Sequence, residues 1–475
     1  MEKPRSGKVY ASVLDVIGNT PMIRLNKIPK EDGVECEVLV KCEFMNPTGS
    51  HKDRMALAVI EAAEKAGNLK PGGIIVEATS GNAGLSLAFV AAVKGYKAIL
   101  AAISKTSFEK TDLMQGFGAD VIRGKPGAHS RGPGSVFDLA EKIVEKVPGS
   151  LYTTQFTNKA NPNAHYMGTG QEILEQCGGK IDYFFMSAGT GGTITGVGRR
   201  LKEVVPKVRI IGCDPVGSLI GSPQGVYAPY KVEGVGYDFV PENCDMKVMD
   251  EWAKFDDKHA FEYAGRLMRE EGLMCGGSCG GILWCALEYA KKHKLTKDQT
   301  LVVVLPDTSR NYLTKHVNKE WMFENGFFTE EQYRKLSMES SFGHEKRFGD
   351  DLQLKDLECP ALSIIKANET IENIWKQLQQ EGILVANKTG TPLDEDYKGL
   401  VTCKDVLAAV STGKLTAKDS VENVLKTDFC VYSENLKVST AGKIMENRDY
   451  ILFRRESTKK VCMMTPVHIM GKMKL

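Results

Sequence analysis

The chain has 475 residues, 42% hydrophobic and 26% charged, with a formal net charge of +2. That length can bury the cores of two or three domains, and without a long basic block nucleic acid and membranes are not expected partners, whereas small anions stay open. The start, "MEKPRSGKVYASVLD", has no signal-peptide core, and no later run approaches a membrane span of ~18 apolar residues, so a cytoplasmic setting is expected.

In chain order, the first chemical signal is "NPTGSHKDRM", residues 46–55, where Lys52 follows a Pro-Thr-Gly turn and precedes the apolar run "ALAVIEAAEKAG". A lysine there is at home as an exposed first-turn charge. Partly desolvated, its amine would have a lowered pKa and act as a nucleophile or Schiff-base partner. The runs "GIIVEA", "KAILAAI", "ADVIRG", "DYFFMSA", "VRIIGCD" and "TLVVVLP" read as short buried strands. Helical periodicities such as "NAGLSLAFVAAVKG" and "GGILWCALEYAKKH" separate them, which implies βαβ units and parallel sheets up to about residue 330.

Two loops between a strand and a helix carry anion-binding signals. "EATSGNAGLSLA" places Thr79, Ser80, Gly81 and Asn82 at a helix start, where such residues also serve as plain N-caps. "SAGTGGTITG" lets the backbone approach a phosphate at the start of the next helix. Its glycine spacing lacks the third glycine of the dinucleotide fingerprint, Ile194 standing there, and no Gly-Lys-Ser/Thr follows, so NAD and ATP are disfavoured. Two anion loops and a lysine suit a ligand with a phosphate, a carboxylate and an aldehyde, as pyridoxal phosphate carrying an amino acid has. Cys275 and Cys279 in "CGGSCGG" lack zinc-knuckle spacing, no C-x-x-C occurs among the 12 cysteines, and no metal is expected. Residues 331–355, polar and charged, read as a helical or loose connector. The last 120 or so residues contain two similar units of strand and helix followed by more strands.

The ordered motifs "IGNTPMIRL", "SHKDR", "TSGN.G", "GTGGT" and "GGSCGG" resemble the fold-type II pyridoxal phosphate enzymes of β-replacement, the cysteine synthases and cystathionine β-synthases, over residues 8 to 325. "YKVEGVGYDFVPENCD" and "VVVLPDTSRNYLTKHVNKEWM" are more similar to the cystathionine β-synthase branch, and the duplicated tail resembles its Bateman module of tandem motifs. The resemblance implies an α/β catalytic domain over 1–330, two parallel-sheet subdomains with the cofactor between them, of which residues 45–150 form a smaller mobile one. A linker at 331–355 and an α+β Bateman domain at 356–475 would follow. It implies a carbon-oxygen lyase that joins L-serine to L-homocysteine as L-cystathionine and water, with release of hydrogen sulfide from cysteine as a side reaction. A cysteine synthase or serine sulfhydrase using sulfide, and a silent ligand sensor, are the alternatives.

Residue by residue, Lys52 matches the Schiff-base lysine, with His51 merely flanking it where the family usually has an apolar residue. Gly189, Thr190, Gly191, Gly192 and Thr193 match the phosphate loop, Asn82 the partner of the ring 3′-oxygen, and Ser278 the partner of the pyridine nitrogen. Thr79, Ser80, Gly81 and Gln155 match the substrate-carboxylate cradle; Phe156, where the family commonly has tyrosine, Glu233 and Gly236 are candidates for thiol selection. A homodimer or higher homo-oligomer is implied. Haem is not expected, because Met1 to Ile17 hold no Cys and His pair. S-adenosylmethionine is not expected to bind: His468 stands where binding members of the family carry an aspartate after Thr465, and "GILVANKTGTPLDEDYKGLVT" lacks the usual apolar strand ending in aspartate.

Overall fold

The structure is a computed structural model that describes residues 9–79, 81–103, 106–124, 132–338, 352–381, 383–390, 397–411, 415–426, 429–445, 448, 450–465 and 468. Two compact units divide the chain, Met1–Asn318 and Lys319–Leu475. Among its described residues the first contains ten strands, β1 (Met22–Arg24), β2 (Glu37–Cys42), β3 (Ile74–Thr79), β4 (Lys97–Ala102), β5 (Asp120–Arg123), β6 (Leu151–Tyr152), β7 (Tyr183–Ser187), β8 (Arg209–Pro215), β9 (Glu251–Phe255) and β10 (Thr300–Leu305).

They form two sheets, one in the order β1-β2-β10-β7-β8-β9 and one in the order β5-β4-β3-β6. All neighbours are parallel except the edge pair β1 and β2. The six apolar runs noted above are β3, β4, β5, β7, β8 and β10. Five of them owe their continuous hydrophobicity to a direct cause, since a parallel strand covered by helices on both faces has no solvent side; every residue of Thr300–Leu305 is buried, whereas β5 is a largely exposed edge strand, which corrects the reading of "ADVIRG" as buried. The smaller sheet packs against the helices Lys52–Lys65 and Asn82–Lys94 through Ile60, Ile75, Leu85, Phe89 and Leu100.

The second unit begins at Lys319, and the helices Lys319–Glu324 and Glu330–Met338 belong to it. The stretch read as a connector at 331–355 therefore starts as helix, and its Tyr333 is fully buried with Leu354 and Leu357 in a hydrophobic cluster. Residues 339–351 lie outside the described residues. Strand β11 (Ile364–Lys366) runs parallel to β12 (Ile383–Asn387), which pairs antiparallel with β13 (Tyr397–Thr402). Strand β14 (Val431–Ser433), parallel to β15 (Ile451–Arg454), and β16 (Val461–Met464), antiparallel to β15, repeat that plan. In each copy a helix, Ile371–Glu381 or Val438–Ile444, joins the parallel pair, so the duplication is a repeated strand-helix-strand-strand unit. The first copy corrects the sequence reading. An apolar strand does form there, with Leu384, Val385 and Ala386 fully buried, and it ends in buried Asn387 rather than aspartate. The Asn387 carboxamide oxygen takes the Gly390 N–H at 2.6 Å and so closes the turn itself. Among the described residues no helix is long and apolar enough to cross a membrane.

Candidate active site

Parallel strands deliver their C-terminal loops to one edge of a sheet, the usual place for a ligand in open α/β folds. Here the loops after β3, β7 and β10 converge on one pocket. Lys52, Asn82, Gln155, Gly189, Thr190, Gly191, Thr193, Glu233 and Ser278 line it, together with His51, Ser187, Tyr237 and Asp307. Residues as far apart in sequence as 52 and 278 thus share one cavity. Thr79, Gly81, Gly192 and Gly236 are not among its lining residues, Phe156 lines another cavity, and Ser80 lies outside the described residues.

Lys52 opens the helix Lys52–Lys65 and is only 8% exposed. Its approach is pinned from both sides. The His51 N–H donates to the Pro306 carbonyl at 2.9 Å, and the Asp53 carboxylate accepts from the Thr48 N–H at 2.8 Å and from the Ser86 hydroxyl at 2.6 Å. Burial pushes the Lys52 amine down to about 8, against the attraction of the Glu77 carboxyl. That is the nucleophilic alternative of the two readings a lysine in this place allows.

The loop after β7 starts the helix Gly192–Val204. Glycine is required at its bend: Gly191 has φ +79°, and a Cβ there would run into Cys244. At Gly192 a Cβ would collide with the Asn161 carboxamide. The exposed amides of a helix start then face the pocket with the positive end of its dipole. His51 does more than flank Lys52: its Nδ1 lies 2.8 Å from the Thr193 hydroxyl, which ties the lysine loop to the glycine loop.

On the opposite side, Thr79 acts within its own loop, its hydroxyl accepting from the Gly81 and Gly84 N–H groups at 3.0 and 2.9 Å. Asn82 Nδ2 donates to Asp307 Oδ2 at 2.6 Å, and Asn82 Oδ1 accepts from Asn311 at 3.1 Å, which fixes the amide at the pocket wall. Gln155 is held by the buried Glu77, whose carboxylate accepts the Gln155 N–H at 3.1 Å, while Gln155 Nε2 donates to the Ala78 carbonyl at 2.9 Å. Burial pushes the Glu77 carboxyl up to about 7.

Glu233 receives two cations, Lys110 at 2.8 Å and Lys315 at 3.0 Å. Burial alone would raise its carboxyl, but the two lysines hold it below the ordinary value. Gly236, whose N–H donates to the Ala188 carbonyl at 2.8 Å, carries the chain into Tyr237, a residue absent from the sequence reading. Tyr237 lines the pocket, and Phe156 packs edge-on behind it at 5.2 Å, with Phe137 and Phe239 completing an aromatic cluster.

These residues fit the group that the family resemblance implies. Lys52 offers a buried amine, the glycine loop a cradle that a side chain would fill, and Ser278, in the first turn of the helix Gly277–His293, a hydroxyl for a pyridine nitrogen. The buried Ser187 hydroxyl at the end of β7 has no protein partner among the described residues, as expected of a wall facing a polar guest. Among the described residues no group of His, Cys, Asp and Glu is arranged to hold a metal ion.

A family model described as "Pyridoxal-phosphate dependent enzyme" matches residues 13–307. Cystathionine beta-synthase of Mus musculus is 40% identical over 459 residues, which cover 95% of this chain and 79% of that protein. Cystathionine beta-synthase of Dictyostelium discoideum is 39% identical over 450 residues, 92% of this chain and 87% of the relative. Among solved structures, a hydrogen sulfide-producing enzyme from Fusobacterium nucleatum matches with a TM-score of 0.60 at 34% identity, covering 64% of this chain and 99% of its own.

Proposed function

We propose, given that the chain belongs to the cystathionine β-synthase family of pyridoxal-phosphate dependent enzymes, that it joins L-serine to L-homocysteine, giving L-cystathionine and water. The observation that carries this reading is the buried Lys52 amine standing in one pocket with the glycine loop, Gln155 and Ser278. Pyridoxal phosphate supplies an aldehyde for the substrate amine and a sink for negative charge at Cα. The chain does the rest. Asn82 and Ser278 orient the ring, and Gln155 with the Thr79–Asn82 loop holds the substrate carboxylate. Lys52, its amine largely neutral above about pH 8, takes the Cα proton of serine and hands a proton to the departing hydroxyl. The homocysteine sulfur then adds at Cβ, and its thiol proton, taken up by Lys52, is returned to Cα. Ser278, a neutral hydroxyl rather than a carboxylate, leaves the pyridine nitrogen without an enforced proton, which favours loss of the β-substituent over transamination.

The structural match to a hydrogen sulfide-producing enzyme supports a side reaction in which cysteine takes the place of serine and sulfide leaves. Product analysis with homocysteine and with sulfide, each against serine, tests the assignment. We expect cystathionine to dominate; a protein making only cysteine would sink the reading. Because Tyr237 forms the wall and Phe156 backs it, Phe156→Tyr should shift the product ratio by less than Tyr237→Phe does, with cofactor loading unchanged in both. Equal ratios across all three proteins would remove this aromatic pair from thiol selection.

For the duplicated tail, a packing or dimerisation role is favoured over a nucleoside site. His468 Nδ1 accepts the Thr465 N–H at 3.0 Å and lies 2.8 Å from the Thr465 hydroxyl, so the ring is engaged in its own turn. Titration calorimetry with S-adenosylmethionine should give no saturable heat, and the melting temperature should not move, since ligand-linked stabilisation requires binding to the native state. Saturable binding lost on His468→Ala would restore the tail as a sensor.

A further inference from the structure

We propose that His51 positions the phosphate-bearing end of the cofactor, as the pocket end of a hydrogen-bond relay that runs from Thr169 through His165 and Thr193. The inference rests on the pyridoxal phosphate reading and assigns a role to residues that reading leaves unused. His165 Nδ1 is 3.0 Å from the Thr169 hydroxyl, His165 Nε2 is 3.1 Å from the Thr193 hydroxyl, and that same oxygen is 2.8 Å from His51 Nδ1. All four side chains are buried. Only His51 and Thr193 among them reach the pocket.

Proton bookkeeping decides what the relay can present. Burial, reinforced by Lys52 for His51 and by Arg54 for His165, keeps both imidazoles neutral. Each ring therefore carries one N–H, and the Thr193 hydroxyl has one hydrogen to share between two ring nitrogens. Two concerted arrangements satisfy every contact by passing the Thr193 hydrogen along the relay; in a third the Thr193 oxygen accepts from both rings, its own hydrogen is directed elsewhere, and His51 Nε2 is bare as in the inward chain. In the inward one, His51 Nδ1–H donates to Thr193, Thr193 donates to His165, and His165 donates to Thr169; Nε2 of His51 is then a bare lone pair. In the outward one, Thr169 donates to His165, His165 Nε2–H donates to Thr193, and Thr193 donates to His51 Nδ1. The His51 proton then sits on Nε2, the ring's remaining polar atom.

A phosphate in the glycine loop selects between them. It repels a lone pair and attracts an N–H, and the dipoles of the outward chain add to those of the helix start at Gly192. His51 thus acts as a neutral donor tuned by Thr193, two residues from the cradle's bend at Gly191.

Reconstitution of cofactor-stripped protein tests this, with pyridoxal phosphate and phosphate-free pyridoxal titrated separately by absorbance. His51→Val should weaken pyridoxal phosphate by about tenfold, the order of one hydrogen bond to a charged group, and leave pyridoxal unchanged. Equal losses for the two ligands, or no loss for either, would overturn the relay. Nitrogen-15 NMR of the histidine side chains in the unmutated loaded protein gives a second readout that does not depend on the variant folding. Nε2–H at His51 supports the proposal, and Nδ1–H overturns it. Failure of the unmutated protein to take up pyridoxal phosphate at all would instead remove the underlying cofactor reading.

Discussion

Lys52→Ala is expected to abolish the yellow absorption of the loaded protein and to cut turnover by about 10³-fold or more, because one side chain both anchors the cofactor and moves the Cα proton. The structure explains why nothing nearby takes over. Arg54 does not line the pocket and is paired with Glu43 and Glu172, and Lys110 is committed to Glu233. Burial holds the Lys52 amine near about 8, so the unmutated enzyme's turnover should climb as pH rises through that value, where the neutral amine becomes the major form. Purified Lys52→Ala that keeps both its absorption and its rate would remove the assignment of the whole pocket.

Glu43→Ala is expected to produce the largest loss of stability, about 3–5 kcal/mol, without touching the pocket. Glu43 is fully buried at the end of β2 and receives Arg54 through two hydrogen bonds of 2.8 and 2.7 Å. Arg54 also reaches Glu172 at 2.6 Å, and Glu172 takes the buried Lys41 at 2.6 Å. Removing Glu43 leaves a buried guanidinium half paired one helical position beyond Asp53, in the helix that Lys52 begins. In a unit of this size that should lower its thermal transition by roughly 5–7 °C. The pH dependence has a definite sign. Burial would raise the Glu43 carboxyl, but Arg54 draws it down to about 2, below the ~4.3 of an unfolded glutamate. Its contribution is therefore complete above about pH 4.3 and is lost as pH falls through about 2. The variant should lack that acid-sensitive share, and a melting curve that matches the unmutated protein at neutral pH would show the network to be energetically silent.

What the sequence determined by itself was local. Continuous apolar runs marked the buried parallel strands β3, β4, β7, β8 and β10, because a strand with helices on both faces needs no polar side; the run at β5 became an exposed edge. The order of the lysine turn, the Thr79–Asn82 loop, the glycine loop and "CGGSCGG" marked the active site, because each depends on a short stretch of backbone. Tertiary structure alone decided the partnerships: His51 with Thr193 and His165, Glu77 with Gln155, Lys110 with Glu233, Asn82 with Asp307. No periodicity records that residues so distant along the chain will meet. Strand β2 was missed because Lys41, buried and paired with Glu172, breaks its apolar run, and β9 because its positions are half-exposed. His51 and Tyr237 show the same limit at the site: a histidine beside a lysine and a tyrosine after a glycine look ordinary until the loops after β3, β7 and β10 close on one cavity. There, exclusion of water is what turns a buried amine into a base and a neutral imidazole into a directed hydrogen-bond donor.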